Sequence, residues 1–436
     1  MYLYSSLLER QAEHNPVRVG LIGAGKFGSM FLSQVLTTPG LEVTCIADLD
    51  PARAQAQCRG VGWEQAQIDA TRYVDDAANL IGSSDVDVVV EATGHPAAGI
   101  KHALLCIENG KHVVMVNVEA DVLAGPYLAQ QAKQAGVVYS MAYGDQPALT
   151  MEMIDWARSC GFKVVAAGKG TKYLPAYHAS TPDTVWSHYG MSAEQAAAAG
   201  MRSQMFNSFL DGTKSGIEMA AIANAADLLA PAAGLAFPPC GAEDLANVLR
   251  PRSEGGELEF CGQVEVVSSL ERDGRPVPRD LRWGVYCVFE APNNYSADCF
   301  RQYGMNTDQS GRYSAMFKPF HLIGLELNIS ILSAALRGQA TGSPVCFNAD
   351  VVSVAKRDLA AGEILDGEGG YTVWGRLMPA TDSVAMEALP IGLGSEVKLT
   401  RAIKQGEVVA CGDVDADRSQ QAWKVRAQML AGFAGV

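Results

Sequence analysis

Two lysines in a glycine-rich stretch are the first residues of this sequence with the chemistry of a catalyst. Lys169 and Lys172 occur in VVAAGKGTKYLP, positions 164–175, directly after an apolar run. An ammonium group beside a carbonyl can polarise it for hydride addition or hold a developing oxyanion, and desolvation would let it exchange a proton. The alternative is a solvated turn, where most lysines lie. The stretch lacks the GxxxxGK(S/T) spacing of a triphosphate-binding loop, so we interpret both lysines as candidate catalytic residues at the end of a strand.

A second candidate group lies in DGTKSGIEMAAIANAAD, positions 211–227. Lys214 and Glu218 are four residues apart on one helical face, a spacing that an exposed ion pair would also show. The flanking residues are apolar, and charged groups in a buried helix need partners or a ligand. We therefore predict Lys214 and Glu218 as catalytic residues and Asn224 as a substrate-binding residue.

Further polar residues accompany the apolar segment MFKPFHLIGLELNISI, positions 316–331. Lys318 could bind a substrate carboxylate or phosphate, and we predict His321 and Glu326 beside it as substrate-binding residues. A single histidine is as often a structural residue as a functional one. Asp145, in YGDQP, is either an acid/base group or a turn former.

Four carboxylates could also assemble a divalent-metal site, because a Lewis acid assists reductoisomerisation of a hydroxyketone. Their spacing is not diagnostic of metal binding, so the metal remains an open possibility. The four residues are Glu119, Asp121, Asp145 and Glu152.

A dinucleotide-binding motif lies near the amino terminus. VGLIGAGKFGSMFL has Gly23, Gly25 and Gly28 in GxGxxG spacing after an apolar strand and before a helix, and Asp48 follows at the end of the second strand. The glycines allow a tight turn, close approach to a pyrophosphate and close helix packing, while the helix amino terminus favours phosphate. Asp48 can accept hydrogen bonds from the ribose of NAD(H), and Arg53 could make NADP(H) acceptable. NAD(H) is slightly favoured.

The remaining cofactor contacts are predicted from their position after the strands of the same domain. EATGHP at 91–96 and NVEAD at 117–121 follow the fourth and fifth strands, whose carboxyl ends face the nicotinamide half of a bound dinucleotide. The predicted contacts besides the glycines and Asp48 are Lys26, Phe27, Thr93, Gly94, Asn117 and Glu119.

Hydrophobic patterning predicts the elements that position these residues. A helix within 1–16 precedes short apolar strands that alternate with helices over 17–148, which is typical of an α/β, doubly wound parallel sheet of the Rossmann type. Residues 149–345 mix helices and strands and are predicted to form an α+β substrate domain. Residues 346–436 read as short strands with Gly-rich turns, a small all-β module.

Composition narrows the class of protein. A net charge of −14 argues against nucleic-acid and anionic-membrane binding, since both need a basic face. Neither a secretory leader nor an apolar run of transmembrane length is visible. The ten cysteines have no metal-ligand spacing and are interpreted as reduced thiols. We expect a cytoplasmic protein.

Longer motifs resemble a known family. VGLIGAGKFG, VVEATGHP and IENGKHVVMVN resemble the amino-terminal domain of homoserine and aspartate dehydrogenases. NVEADVLAGPYLAQQAKQAGVVYSMAYGDQP, AGKGTK, FLDGTKSGIEMAAIANA and FHLIGLEL resemble the deoxyxylulose-phosphate-reductoisomerase-like branch of that group, and VAKRDLAAGEIL resembles its carboxyl-terminal SAF domain, a β-clip module. The resemblance implies an NAD(P)-dependent enzyme that assembles as a homodimer or larger homo-oligomer. NVEADVLAG lacks the lysine of the T-A-N-K motif of homoserine dehydrogenases, which disfavours homoserine as substrate.

These features predict an NAD(P)-dependent oxidoreductase for a small polyhydroxylated anionic substrate, with hydride transfer coupled to isomerisation as in the enzyme that converts deoxyxylulose phosphate to methylerythritol phosphate. Three alternatives stay open. They are an NAD-dependent sugar-acid dehydrogenase or oxidoisomerase, a homoserine-dehydrogenase-like enzyme, and an NAD-sensing regulator without catalytic activity.

Overall fold

The computed structural model describes residues 3–433, which divide into two compact units. Unit 1 comprises the described chain up to Leu149, the segment His321–Val345 and the described chain from Lys424. Unit 2 comprises Thr150–Phe320 and Cys346–Trp423. Each unit is thus built from segments that are distant in sequence, a division that differs from the four consecutive segments expected from the sequence.

Unit 1 is a Rossmann-type domain. Its described strands form a six-stranded parallel sheet in the order β3-β2-β1-β4-β5-β6, the order of a dinucleotide-binding fold. The strands are nearly all apolar because helices cover both faces of the sheet. They are β1 Val17–Ile22, β2 Leu41–Ala47, β3 Arg72–Val74, β4 Val88–Glu91, β5 His112–Met115 and β6 Tyr139–Met141.

The helices of unit 1 include two that come from late in the chain. Leu327, Ile331 and Leu332 join the same core as the sheet residues Val88 and Val114, so a helix near residue 330 packs on the Rossmann sheet. The helices are α1 Leu3–Ala12, α2 Lys26–Val35, α3 Pro51–Gly60, α4 Gln65–Ala70, α5 Ala77–Ile81, α6 Pro96–Glu108, α7 Val118–Ala135, α15 Asn328–Arg337 and, from Lys424 on, α17 Gln421–Phe433. Helix α8 Gln146–Ser159 leads from unit 1 into unit 2.

Unit 2 contains a mixed sheet, in which the described strands have the order β10-β9-β7-β8. β7 pairs parallel with β8 and antiparallel with β9. The strands are β7 Lys163–Thr171, β8 Gln263–Ser268, β9 Val285–Glu290 and β10 Tyr313–Lys318, and the helices are α9 Val185–Tyr189, α10 Ala193–Ala198, α11 Ser203–Asp211, α12 Thr213–Ala226, α13 Leu245–Val248 and α14 Asn294–Gln302.

The last part of unit 2 consists mainly of short strands. β11 pairs with β13, and β12, β14 and β15 form a separate small sheet. These elements are β11 Ala349–Ala355, β12 Ile364–Asp366, β13 Val373–Pro379, α16 Ala380–Ala385, β14 Ser395–Leu399 and β15 Val414–Asp415.

The carboxyl-terminal segment, residues 346–436, was expected to contain strands alone, but it also contains two helices. Helix α16 interrupts the strands, and α17 follows them. Ala422, Val425 and Met429 are buried at a helical spacing, which explains why this segment forms a helix and not another strand. Within the described residues, no helix is long and apolar enough to cross a membrane.

Candidate functional site

The glycine loop of unit 1 has the geometry that a pyrophosphate needs. Gly23 has a φ of +96°, and a Cβ there would lie 2.8 Å from the Ala92 carbonyl oxygen. A Cβ on Gly28 would meet the Gly23 carbonyl oxygen at 2.5 Å. A Cβ on Gly25 would meet no protein atom within 4 Å, so packing within the chain does not require glycine there. Close approach of a ligand to the backbone at the start of α2 gives that glycine a reason.

Asp48 links this loop to the second strand. Its carboxylate accepts hydrogen bonds from the backbone N–H groups of Ala24 and Asp50, both at 3.0 Å. The Arg53 guanidinium donates to the same carboxylate at 2.7 Å, and 51% of the Arg53 side chain is exposed against 3% of the Asp48 side chain. The carboxylate is thus held in place, and a positive group stands beside it on the solvent side.

The loop after β4 lies next to the glycine loop, and two residues that the sequence analysis missed flank it, Glu91 at the end of β4 and His102 in α6. A Cβ on Gly23 would lie 3.3 Å from the Thr93 nitrogen. Thr93 donates its hydroxyl to Glu91 Oε1 at 2.5 Å, and His102 Nδ1 lies 3.1 Å from the same oxygen. Glu91 is fully buried, and its Oε2 has no hydrogen-bond partner among the described residues. The sequence signal that could have identified Glu91 is its position as a charged residue at the end of the apolar strand VVVE.

Asn117 was predicted as a cofactor contact, but its side-chain amide forms hydrogen bonds within the protein. The side-chain oxygen accepts from Ala120 N at 3.1 Å, which caps α7, and the side-chain nitrogen donates to the His95 carbonyl at 2.9 Å. Asn117 is 1% exposed. The neighbouring Glu119 lies half-buried in the first turn of α7.

Asp121, in the same turn, is a buried carboxyl at the carboxyl edge of the sheet. Tyr139 donates to its Oδ1 at 2.9 Å, while Oδ2 has no hydrogen-bond partner among the described residues. Burial raises the pKa of Asp121 to about 7. Asp121 and Asp145 line one small cavity at the ends of β5 and β6.

The predicted metal site does not assemble from its four carboxylates. Among residues 3–433, no group of three or more His, Cys, Asp or Glu side chains has the arrangement of a metal site. Asp121 and Asp145 share a cavity, but Glu119 lies half-buried and Glu152 is exposed. The side chains therefore do not fit the divalent metal suggested by the sequence.

His321 and Glu326 were predicted in the substrate domain, but they lie in unit 1. His321 Nε2 is 3.1 Å from the Gln146 side-chain nitrogen. A Cβ on Gly144 would lie 3.1 Å from Glu326 Cβ, and a Cβ on Gly324 would lie 2.7 Å from the Phe27 carbonyl oxygen. Segment 321–326 thus packs beside the glycine-loop helix and the loop after β6, because chain topology and not sequence distance sets its neighbours.

In unit 2, Lys169 forms a buried ion pair. It lies inside β7 and not in a turn after the strand, and its ammonium contacts Glu218 of α12. The two side chains are 6% and 3% exposed. An ion pair this deeply buried is weak evidence for stability, because desolvation offsets much of the attraction. The structure thus brings together two residues that the sequence analysis had proposed separately.

Lys318 lies in the same row of the sheet as Lys169. Both residues are in register with Val285 of the central strand β9, Lys169 from β7 and Lys318 from β10. Residues in register across neighbouring strands project from one face. At roughly 4.8 Å per strand, the two backbones are about 10 Å apart. The Lys318 ammonium lies 5.0 Å from the centre of the Phe320 ring.

The other two predicted lysines of unit 2 are Lys172, which has partners nearby in the chain, and Lys214, which is half-buried. Lys172 donates to the His188 carbonyl oxygen and lies over the Tyr189 ring at 5.6 Å. Burial, together with the charge of Arg282, lowers the pKa of Lys172. Lys214 is half-buried in the first turn of α12.

Asn224 was predicted to bind substrate, but its hydrogen bonds are structural. Its side-chain oxygen accepts from Asn348 N at 2.8 Å and Ala349 N at 2.9 Å, and its nitrogen donates to the Ala349 carbonyl at 3.0 Å. Asn224 is buried. It holds the start of β11 against α12, so its side-chain amide is engaged within unit 2.

A second buried ion pair of unit 2 escaped the sequence analysis. Lys356 contacts Asp211 at 2.8 Å and donates to the carbonyl oxygens of Ser180 and Gly370. Burial raises the pKa of Asp211 against the opposing effect of the lysine. A lysine directly after the apolar strand β11 was the only sequence signal. The pair joins the helical part of unit 2 to its carboxyl-terminal strands.

Two adjacent parts of the chain match models of known protein families. Residues 17–143 match the GFO/IDH/MocA model, described as an oxidoreductase family with an NAD-binding Rossmann fold, and residues 144–327 match the catalytic domain of oxidoreductase DRL. The two matched regions adjoin at residues 143 and 144, so one part of the chain is similar to an NAD-binding domain and the next part to a catalytic domain of oxidoreductases.

Individual relatives are similar over short stretches. An inositol 2-dehydrogenase of Paenarthrobacter aurescens is 40% identical over 21% of this chain and 25% of the relative. A homoserine dehydrogenase of Neisseria gonorrhoeae is 30% identical over 23% of each. A myo-inositol dehydrogenase structure from Lactobacillus casei covers 40% of this chain and 50% of that one, with 17% identity and a TM-score of 0.30. The chain thus spans about a quarter of the length of the curated relatives it matches.

Proposed function

We propose that this protein is an NAD(P)-dependent oxidoreductase acting on a small polyhydroxylated anionic substrate. The observation that carries the proposal is the glycine loop, in which Gly25 has open space around it at the start of α2 and Asp48 is tied to Ala24. The match of residues 17–143 to an NAD-binding oxidoreductase model supports the same conclusion.

Unit 1 would hold the dinucleotide through its backbone and the ends of its strands. The first backbone N–H groups of α2, at Lys26 and Phe27, have no partner within the helix and favour the pyrophosphate. The ribose would lie beside Asp48, and Thr93 and Gly94 would line the path towards the nicotinamide. Bound NAD(P) would exchange the hydride with the substrate carbon.

Lys169 would contribute the acid/base chemistry in unit 2. In the reduction direction, its ammonium donates a hydrogen bond to the substrate carbonyl oxygen and gives that oxygen a proton as it becomes a hydroxyl. In the oxidation direction, the neutral amine takes the hydroxyl proton. Glu218 keeps the ammonium oriented and compensates its charge in a buried position. Lys318, from the same row of the sheet, would bind an anionic group of the substrate.

Both the lysines and the relatives support the proposed substrate class. Lys172, Lys214 and Lys318 give unit 2 positive groups in a chain with a net charge of −14. Proteins named inositol 2-dehydrogenase are among those with similar stretches, and such a name indicates a secondary alcohol of a polyol. We therefore favour oxidation or reduction of a sugar acid or polyol derivative at a secondary alcohol.

Reductoisomerisation is a finer proposal that rests on sequence motifs alone. Such an enzyme would rearrange the carbon skeleton of a hydroxyketone before or after the hydride step. The described side chains form no cluster of three or more ligands that would hold a divalent metal for this rearrangement. Two alternative functions also remain proposals, a homoserine-dehydrogenase-like activity and a non-catalytic NAD sensor. The same holds for a SAF-like role of residues 346–436, for a cytoplasmic location and for formation of a homo-oligomer.

A substrate screen separates these activities. Purified protein would be assayed with NAD(H) and NADP(H) on sugar acids, polyols including inositol, hydroxyketone phosphates and homoserine. Carbon NMR of the product distinguishes simple hydride transfer from skeletal rearrangement. Tight NADH binding with no turnover on any compound would favour the sensor.

The role of Lys169 is tested by Lys169→Met on the best substrate. We expect kcat to fall by roughly a hundredfold or more while the Kd for NADH changes less than about twofold. Lys163→Met, an exposed lysine of the same strand, is the matched control. Because Lys169→Met leaves Glu218 buried without its cation, the double variant Lys169→Met/Glu218→Gln is measured alongside. Unchanged turnover in either variant would remove Lys169 from the mechanism.

A further inference from the structure

A polar cavity lies at the edge of the Rossmann sheet opposite the glycine loop. Its volume is about 320 Å³, within the range of pockets that bind small molecules. Because the six strands are parallel, the starts of β1, β4 and β5 lie together at this amino edge, whereas Gly23, Thr93 and Asn117 follow the carboxyl ends. The cavity is lined by Arg10, Asn15, Val17, Arg18, Val86, Asp87, Gly110, Lys111, His112 and Ala335.

Positive groups outnumber carboxylates in this lining. Arg10, Arg18 and Lys111 carry cations, and Asp87 is the one carboxylate among the lining residues. Arg18 donates Nε and Nη2 to Asp87 at 3.1 and 2.6 Å, which leaves Nη1 outside the pair. In a chain with a net charge of −14, a local excess of cations around a cavity is unexpected.

Lys111 carries the strongest indication of a ligand. Its ammonium donates to the carbonyl oxygens of Ser83 and Val86, both at 2.7 Å, and forms no ion pair with a carboxylate in the described part of the chain. The residue is half-buried. Two carbonyls fix the nitrogen in place and leave a third proton unassigned, so a partly buried positive charge lacks a counterion.

His112 adds a neutral donor to the same cavity. Its Nδ1 accepts a hydrogen bond from Val138 N at 3.0 Å, so the neutral ring carries its proton on Nε2. Burial lowers the pKa of His112, which keeps the ring neutral near pH 7. The Val138 contact thereby fixes the tautomer.

We propose that this cavity is a binding site for a small, multiply charged anion carrying phosphate or carboxylate groups, separate from the dinucleotide site. Lys111 and Arg10 supply the charge, and Arg18 Nη1 and His112 Nε2 supply directed donors. Contacts to Asp87 and to backbone carbonyls already orient Arg18 and Lys111, so little side-chain ordering opposes binding.

The test is a calorimetric titration of the full chain with pyrophosphate and, separately, with citrate, at constant ionic strength. We expect saturable binding of at least one probe, and the stronger of the two identifies phosphate or carboxylate as the favoured chemistry. Arg10→Gln and Lys111→Met should each weaken that binding about tenfold, the loss expected for one charge-assisted hydrogen bond. Lys101→Gln, which removes an exposed cation of α6, should leave the Kd unchanged.

Three outcomes would overturn the proposal. They are no saturable binding of either probe, wild-type affinity in Arg10→Gln, and loss of probe binding when NADH is bound, which would assign the anion to the glycine loop. Arg10 is half-buried near the end of α1, so Arg10→Gln keeps the test valid if Lys111→Met fails to fold. The experiment does not require the protein to be an oxidoreductase, so its failure is distinct from failure of the proposed activity.

Discussion

Arg53 lies beside Asp48, the residue that we propose binds the ribose of the dinucleotide. A carboxylate after the second strand binds the 2′-hydroxyl of NAD(H) and repels the 2′-phosphate of NADP(H), whereas an arginine accepts that phosphate. Here Asp48 and Arg53 form one ion pair, with the arginine side chain half exposed. We propose that this pair makes both dinucleotides acceptable, since a phosphate can draw the arginine away from Asp48.

Replacement of Arg53 should sharpen the cofactor preference. In Arg53→Ala, the Asp48 charge is no longer compensated, so we expect the affinity for NADPH to fall about tenfold relative to NADH, as for one lost charge-assisted hydrogen bond. Fluorescence titration with both nucleotides measures the ratio. Arg59→Ala, an exposed arginine on the same helix, is the control. An unchanged ratio would mean that Arg53 does not reach the nucleotide.

Thr93 illustrates how a buried neighbour restricts an exposed side chain. Its hydroxyl proton is directed to Glu91 Oε1, which the His102 ring also approaches. With its proton engaged, the Thr93 oxygen can offer only lone pairs to a bound molecule. A ligand at this loop would therefore present a donor, such as an amide N–H or a hydroxyl.

At the scale of elements, helix α12 organises unit 2. Glu218 pairs with Lys169 of β7, and Asn224, one and a half turns later, fastens the start of β11. Gly216 lies close to β13, where a Cβ would meet the Gly375 carbonyl oxygen at 3.3 Å. One helix thus positions the candidate catalytic pair and also anchors the carboxyl-terminal strands.

Removal of the Asn224 amide should destabilise unit 2 without a direct effect on chemistry. Asn224→Ala leaves the buried N–H of Ala349, the half-buried N–H of Asn348 and the Ala349 carbonyl without their partner, so we expect a loss of about 3 kcal/mol in the free energy of unfolding. Urea denaturation followed by circular dichroism measures it. Asn294→Ala, at an exposed position, should stay within about 0.5 kcal/mol of wild type. A comparably small change in Asn224→Ala would contradict the structural role.

In unit 1, segment 321–326 likewise connects parts of the fold that are distant in sequence. It returns from unit 2 to lie beside Phe27 and Gly144, and α15 then packs on the Rossmann sheet. His321 and Glu326 therefore belong to the Rossmann unit, although 179 residues separate His321 from Met141, the end of the last Rossmann strand.

At the scale of the whole molecule, buried carboxyl groups give the stability a pH dependence. Glu265 is fully buried and accepts hydrogen bonds from the backbone N–H groups of Ala236, Phe237 and Val266. Burial raises its pKa to about 7, as it does for Asp121 in unit 1. The folded state therefore binds these protons more tightly than the unfolded chain does. Their stabilising contribution is complete below the ordinary carboxyl pKa and is lost as the pH rises towards 7.

Replacement of Glu265 should remove part of this dependence. Glu265→Gln stays neutral, so relative to wild type it should gain stability between pH 5 and pH 8, by an amount on the order of 3 kcal/mol. Urea midpoints at several pH values measure the difference. Glu257→Gln, an exposed carboxyl of the same unit, should follow wild type at every pH. Parallel curves for Glu265→Gln and wild type would show that Glu265 titrates normally.

Local sequence determined the Rossmann unit and its cofactor loop. Apolar strands alternate with helices at short range, and the spacing of Gly23, Gly25 and Gly28 reflects backbone geometry that few other residues can adopt. Asp48 follows from the same local pattern. These features depend on residues close together in the chain, so periodicity and motif spacing were sufficient to predict them.

The tertiary structure alone decided which distant side chains meet. The sequence nominated Lys169, Glu218 and Asn224, but only folding paired the first two and committed the third to β11. Pairings of this kind depend on which strand lies beside which helix, and no local pattern encodes that. The cluster of Arg10, Arg18 and Lys111 at the amino edge of the sheet has the same origin, because parallel pairing gathers the starts of strands that are far apart in sequence.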